Sequence, residues 1–459
     1  MEQKKGSLKS TIVVSLTNYL DAGAIVAGAS GLTLWQNYLG LSEGNLGWLN
    51  AISANCFGAA IGAITGGFLA DRYGRKFIYS NNMLVYMLGV AIIIFAVSFP
   101  MLLLGFLITG ISVGAGIPAS WTYISESSEV GKRGRNIGIS QFAWGVGPAI
   151  ILLLGMLLAP GKDGAQAGIL FGFVQKMAAL FLSGGASVET VNVLSSRIVF
   201  SSLFLVAFIA WTLQRRLDES KDWKDAKLTQ TKEKQPSVFA SFGTLLTNKV
   251  NVRTMLFLAG IYLTWNLVAS VMGFFQQHIY ETAGGLSNAN SNMLTAVQWL
   301  IIVATTYFGF AMLIDKVNQR WMYFAATLIG ISAWIVLIFM GMKNSTLWTF
   351  TILWGIHAGV SVQAFYALWA SELFPARYRA AAQGIMFFTV RSAAAIWGFI
   401  FVYIYGASGE GFSLAAYMMT GLLIIALAIG TIWAPKTKGK TLQQITEERY
   451  GNEHDTLSL

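Results

Sequence analysis

A few polar side chains lie deep in apolar stretches, where a polar group is expensive enough to call for a use. Asp21, in NYLDAGAIVAG, is a carboxylate among small residues. A buried carboxylate can take up and release a proton, or it can form a static ion pair, and the small neighbours leave space for helix contacts or a solute. Arg391, in FFTVRSAAAIWG, can bind a carboxylate, phosphate or sulfonate, or pair internally. His357, in LWGIHAGVSVQAF, can titrate near neutral pH if accessible, or sit as a neutral packing residue. Gln141, in ISQFAWG, both donates and accepts, which suits a hydroxyl on a sugar or polyol as well as a bond between helices. Trp144, Trp265, Asn266, Gln298, Trp299, Gln363 and Tyr366 extend the set. Aromatic faces can pack on the apolar face of a sugar ring or simply anchor a membrane interface.

A second constellation is made of charge. DRYGRK at 71–76 and YISESSEVGKRGRNIG at 123–138 recur in weaker form as DKVNQR at 315–320 and WASELFPARYRAAAQG at 369–384. The copies lie about 245 residues apart, so that Glu126 falls with Glu372, Arg133 with Arg379 and Gly138 with Gly384. Asp71 and Asp315 then end equivalent helices, and arginines and glutamates of neighbouring loops can reach across by charge-assisted hydrogen bonds. Gly74 permits a tight turn. Asp71, Arg72, Gly74, Arg75, Glu126, Arg133, Asp315, Glu372 and Arg379 are the expected gate, a network closed in one state and broken in another. The alternative for any one of these charges is topology alone.

The elements that position these residues follow from composition. With 55% hydrophobic and 11% charged residues among 459, and a mean hydropathy of +0.58, the chain cannot clothe a soluble globule. The net charge of +10 does not imply nucleic acid, because the basic residues form short strips between apolar runs. A single cysteine, Cys56, excludes an intramolecular disulfide. At about 20 residues per crossing, the spans fall near 12–34, 45–69, 77–98, 101–124, 136–159, 193–213, 251–275, 291–313, 321–341, 347–371, 381–406 and 411–434. The stretch 165–183 is expected to lie in an outside loop as an interfacial helix, with an extra span as the alternative.

Lysines and arginines crowd alternate loops, including Arg72, Arg75, Lys76, Lys132, Arg133, Arg135 and the segment 214–250, while the opposite loops are nearly bare. Both termini are therefore expected in the cytoplasm. Residues 1–9 and about 441–459 are expected to be mobile ends, and the first run does not resemble a cleavable signal. The repeat divides the chain into a bundle at 1–213, a connector at 214–250, a bundle at 251–434 and a tail at 435–459. The fold class is an all-α polytopic membrane protein of twelve helices in two sixes, as in transporters built from repeats.

DRYGRK at 71–76, YISE at 123–126, ELFPARYRA at 372–380 and PKTKG at 435–439 resemble the sugar porter branch of the major facilitator superfamily, and DESKDW at 218–223 stands where that branch often carries Pro-Glu-Ser-Pro-Arg-Trp. The superfamily resemblance covers essentially the whole chain. It implies a central cavity with alternating access to a small solute, protons as coupled ions, a bacterial inner membrane, a functional monomer and no cofactor. It also implies a proton-coupling acid at Asp21 and a sugar-contacting glutamine at Gln141. The chain departs from the branch in several places. Phe106 stands where an arginine commonly regulates the acid, leaving Arg391 and His357 as candidate partners. TWNLVAS at 264–270 replaces the span-seven glutamine pattern, Pro148 a second glutamine, and VQAFYALWASE at 362–372 a Pro-X-Pro-Trp stretch. An ordinary hexose is thereby disfavoured, and an acidic sugar or an organic anion becomes credible because Arg391 could neutralise it. Proton-independent facilitation is the further alternative. Enzyme readings lack support: ISVGAGIPAS has no strand–turn–helix setting, and His278, His357 and His454 are too dispersed for a metal site.

Overall fold

In hydrocarbon every backbone N–H and C=O must be satisfied within the chain, so apolar runs of this length fold as helices. The computed structural model describes residues 2–52, 56–161, 167–182, 186–230, 243, 245–286, 288–406 and 409–451. In chain order the helices are α1 (Glu2–Leu39), α2 (Glu43–Ile52), α3 (Phe57–Tyr73), α4 (Arg75–Ile94), α5 (Phe99–Ser127), α6 (Arg133–Leu158), α7 (Phe171–Phe181), α8 (Val188–Gln214) and α9 (Lys221–Gln230). The second half contains α10 (Lys249–Thr282), α11 (Asn288–Ala304) with a π-helical continuation (Thr305–Ala311), α12 (Gln319–Met340), α13 (Asn344–Val360), α14 (Val362–Glu372), α15 (Arg379–Tyr405), α16 (Phe412–Ile432) and α17 (Leu442–Tyr450). Eleven segments among the described residues are long and apolar enough to cross a membrane, α13 and α14 counting as one. The expected second span is divided between α2 and the 17-residue α3. Exposed Leu88, Leu153, Leu205, Leu300 and Phe339 form the apolar exterior that lipid requires.

Both expectations about the chain ends need correction. Residues 2–9 are the first turns of α1, not a free end. The tail also folds: Thr441 accepts from the Gln444 amide at 3.0 Å while Gln444 Oε1 accepts from the Thr441 amide at 2.9 Å, a reciprocal cap that starts α17. Leu442, Ile445 and Tyr450 are buried, and Tyr450 donates to Asn251 Oδ1 at 2.6 Å. As expected, the stretch 165–183 holds a short helix among its described residues, the 11-residue α7, too short to cross. Phe171, Val174 and Ala178 are its buried face, at helical spacing, with Phe173, Leu180 and Phe181 exposed.

The bundles meet at the end that carries the basic strips. Asp71, at the end of α3, accepts from the amides of Ala380 at 3.3 Å and Ala381 at 2.6 Å in the first turn of α15. Asp315, after the π segment, accepts from Gly134 at 3.1 Å and Arg135 at 2.7 Å in the first turn of α6. Each carboxylate thus caps a helix of the other bundle, where unsatisfied amides and the positive dipole end favour an anion. Close approach is required for this. A Cβ on Gly384 would lie 2.3 Å from the Ala63 carbonyl, and one on Gly138 would lie 2.6 Å from Ala311 Cα.

Arginines and glutamates repeat the pattern. Arg379 donates to Glu126 at 2.7 Å and Arg133 to Glu372 at 3.1 Å, each across the bundle interface. Within the first bundle Arg75 grips Glu126 through two nitrogens at 3.2 and 2.9 Å, pairs with Asp71 at 3.0 Å and reaches over to the Ala376 carbonyl at 2.8 Å. Gly74 turns the chain at φ +102, and Glu219 of the connector caps α4 by accepting from the Lys76 amide at 2.9 Å. Trp223 adds a bond to the Asp71 carbonyl at 2.8 Å. Arg72 does not join the network. One residue further round the helix than Asp71, it is exposed and lies over the Tyr73 ring. Burial pushes the Asp315 carboxyl above its ordinary range, and the bonds from Arg135 and Gly134 partly offset this.

Removing the Asp71 charge weakens two charge-assisted bonds, at about 1–2 kcal/mol of closure. In a Cys56→Ala, Ser371→Cys background the reporter sits on the buried Ser371 position facing Ser125. Asp71→Asn is expected to speed its maleimide labelling roughly tenfold; unchanged labelling would show that Asp71 does not hold the end shut.

Candidate functional site

Above the closed end, polar residues of both bundles converge midway along the helices. Asp21, in the middle of α1, is 2% exposed. Its Oδ2 accepts from Trp144 Nε1 of α6 at 3.0 Å, while Oδ1 has no hydrogen-bond partner among the described residues. Arg391 of α15 lies close enough to attract this carboxylate across the bundle interface. Its guanidinium also stacks on Phe387 at 4.7 Å and hydrogen-bonds the Tyr262 hydroxyl. On the α5 side Phe106 presents a ring, packed against Phe200 at 5.9 Å and so near α1 that a Cβ on Gly28 would lie 2.8 Å from it. The counter-charge to Asp21 therefore comes from the opposite bundle.

The expected hydroxyl readers divide into three groups. Gln363 of α14 donates to Gln141 Oε1 of α6 at 3.1 Å, an amide bridge between the bundles that leaves Gln141 Nε2 without a partner among the described residues. Tyr366, one turn from Gln363, stacks on Tyr262 with centroids 4.1 Å apart and planes 6° apart, and its hydroxyl has no partner among the described residues. Asn266, one turn from Tyr262 on α10, is buried with an unpartnered Oδ1. Trp144 and Trp299 meet at 5.7 Å across the interface. These residues have polar atoms or faces left to offer.

Gln298 is differently placed. It exchanges two hydrogen bonds with Gln276, at 2.8 and 3.0 Å, and Gln276 also donates to Tyr280 at 3.1 Å. That ring of bonds braces α10 against α11. Trp265 donates to His357 Nε2 at 3.0 Å, and His357 Nδ1 faces the Ala326 carbonyl at 2.9 Å. A carbonyl can only accept, so Nδ1 carries the proton and Nε2 accepts from the indole: a neutral imidazole with both nitrogens engaged. The ring is also packed against Gly330, where a Cβ would lie 2.5 Å away. Of the two readings open for His357, the geometry matches the packing residue. An added proton would cost the bond to Trp265.

Several contributors were not singled out in the sequence. Trp121 donates to Asn18 Oδ1 at 3.0 Å and meets Tyr366 edge-on at 5.9 Å. Asn18 stands three residues before Asp21, a helical spacing that could have found it. Gln276 falls one residue beyond the expected end of its span, and Tyr262 lies four before Asn266 on the same face.

The profile described as "Sugar (and other) transporter" matches residues 33–448. The minor myo-inositol transporter IolF of Bacillus subtilis (strain 168) is 40% identical over 450 residues, covering 97% of this chain and 94% of that one. The niacin transporter NiaP of Acinetobacter baylyi (strain ATCC 33305 / BD413 / ADP1) is 24% identical, covering 88% of each. Among solved structures, the proton:xylose symporter XylE of E. coli superposes with a TM-score of 0.76 at 17% identity over 96% of this chain and 99% of that one. The matched profile spans nearly all of the helices described above, and the chain belongs to the sugar transporter family of the major facilitator fold.

Proposed function

We propose that this chain imports a small polyhydroxylated solute of the polyol or sugar class together with a proton, by alternating access, with the basic end facing the cytoplasm. The observation that carries the reading is the Gln363–Gln141 bridge at 3.1 Å, which spans the two bundles at mid-depth beside an ionisable Asp21. A solute hydroxyl can replace the bridge, accepting from one amide and donating to the other, and so bind both bundles at once. The stacked Tyr262–Tyr366 pair gives the apolar face of a ring something to pack on. The name of the 40% identical relative points to a cyclic polyol.

Asp21 and Arg391 set the charge logic. Ionised, Asp21 is held by Arg391 and Trp144. Protonated, it frees the guanidinium and weakens the indole bond. The proton thus changes what the two bundles hold in common. A second reading, an organic anion carried with a proton, rests on the same Arg391 and on the similarity to a niacin transporter.

Proteoliposome uptake of a labelled panel of polyols, neutral sugars, sugar acids and aromatic carboxylates, with and without an inward proton gradient, separates these readings. Gradient-driven accumulation of a polyol is expected; accumulation confined to anions would favour the second reading, and equilibration indifferent to the gradient would sink symport. Gln141→Ala is expected to cost about 1–3 kcal/mol of solute binding, raising KM roughly ten- to hundredfold with the fold intact. Asp21→Asn is expected to abolish accumulation while preserving solute counterflow, which needs no proton release.

A further inference from the structure

The interior of the first bundle, away from the interface between the bundles, is itself polar. On α1, Thr11, Ser15, Thr17, Asn18 and Asp21 are all buried, at 0%, 1%, 2%, 0% and 2% exposure. Ten residues separate Thr11 from Asp21, about 15 Å along a helix. Other helices face this ladder with more polar groups. Gln214, where α8 ends on the basic side, donates to Thr17 Oγ1 and to the Val13 carbonyl, each at 3.1 Å. Ser112 of α5 donates to Asn82 Oδ1 of α4 at 3.0 Å. Gly116 of α5 lets the two groups approach each other, since a Cβ there would lie 2.6 Å from Thr17 Cγ2 and 2.8 Å from Asn82 Nδ2.

Apolar packing alone would not assemble this set. Three of its atoms, Asp21 Oδ1, Asn82 Nδ2 and Gln214 Oε1, are buried without a hydrogen-bond partner among the described residues. Buried polar atoms in this position are the ordinary hosts of internal water. They are spaced from the mid-depth carboxylate to the basic end, with the Thr17 hydroxyl beside Gln214 and the Ser112 hydroxyl beside Asn82. At the far end Ser10, 9% exposed, adjoins solvent-exposed Lys9.

We propose that spans one, three, four and six enclose a proton-release route from Asp21 to the basic end, through internal water held by Thr17, Asn82, Ser112 and Gln214 and separate from the solute path. The inference rests on the reading of Asp21 as the proton carrier. The O–H bond at Asp21 breaks, its proton passes to water at Oδ1, and each water or hydroxyl in turn accepts one proton and donates another until one reaches bulk water; the carboxylate remains, facing Arg391. The amides hold the waters and do not themselves carry charge. The charged and titratable groups about Asp21 are Arg391 on α15, Tyr262 on α10, Tyr86 on α4, whose hydroxyl donates to the Leu20 carbonyl at 3.2 Å, and Tyr19 on its own helix. Of the four only Tyr19 stands between Asp21 and the basic end, and it is partly exposed.

The test compares two modes of transport in proteoliposomes of full-length protein, with myo-inositol as the probe and, failing uptake, the solute that the panel identifies. Thr17→Val and Asn82→Leu are expected to lower gradient-driven uptake about tenfold, the scale on which a removed proton-transfer group is felt, with a larger solvent deuterium effect. Counterflow is expected to keep its wild-type rate, because exchange proceeds without emptying Asp21. Thr17→Ser restores the hydroxyl and should restore uptake. Normal gradient-driven uptake in both variants would overturn the route alone. So would an equal fall of uptake and counterflow that Thr17→Ser does not reverse, which is the mark of packing. Gradient-driven accumulation by Asp21→Asn would overturn the Asp21 reading and the route together.

Discussion

Two carboxylates placed on the helix ends of the opposite bundle are the constraint on which the rest of the structure depends. Asp71 on α15 and Asp315 on α6 fix the depth, rotation and separation of the bundles at the basic end. The glycine contacts are possible only at that separation, and the Arg379–Glu126 and Arg133–Glu372 bonds span the distance it leaves. With that end shut, Gln141 meets Gln363 and Asp21 comes within the field of Arg391. The central site is therefore a consequence of the gate's geometry as well as of its own residues.

A closed end that has to open must be strong in its bonds and weak in its balance. Charge-assisted hydrogen bonds are worth about 1.5–3 kcal/mol each, and several span the interface; a simple sum would lock the end permanently. A protein that alternates must keep its states within a few kcal/mol. Desolvation supplies the opposing term: the carboxylates are buried to make their bonds, and Asp315 is driven toward its neutral form by that burial even with two amides donating to it. The two sides are also unequal. Where the first bundle has Arg75 bound to both Asp71 and Glu126, the second has Gln319, which accepts from Trp369 at 3.1 Å. The Asp315 side thus has one fewer fixed charge to separate when the end opens.

Much of this was legible because internal repetition makes a sequence its own comparison. Asp71 with Asp315 and Arg133 with Arg379 were paired by spacing alone, and the structure puts each pair in equivalent bonds. Twelve apolar runs were equally plain, since lipid leaves a long run no alternative to a helix. What stayed hidden depended on rotation about a helix or on partners far away in sequence. Arg72 and Arg75 look alike in DRYGRK, yet one faces solvent and the other is buried. The ends at 2–9 and 441–451 read as free because their composition is polar, whereas α17 is held by a local cap and a few buried contacts that no hydropathy scale registers. His357 could be read as a titrating group until Trp265 and Ala326 took both its nitrogens.

The loss of the arginine expected in the fourth span then finds a physical explanation. Phe106 fills that place with a ring packed on Phe200 and against Gly28 of α1, so the balancing charge has to come from elsewhere, and Arg391 supplies it from the other bundle. An intrabundle pair would survive every movement of one bundle against the other. A pair divided between bundles weakens whenever they separate, because attraction between charges falls with distance and with the entry of water. Trp144 strengthens the connection by binding Asp21 with its indole nitrogen while its ring rests on Trp299 of the second bundle. Protonation at Asp21 and separation of the bundles thus act on the same few contacts, so the free energy of one enters the free energy of the other.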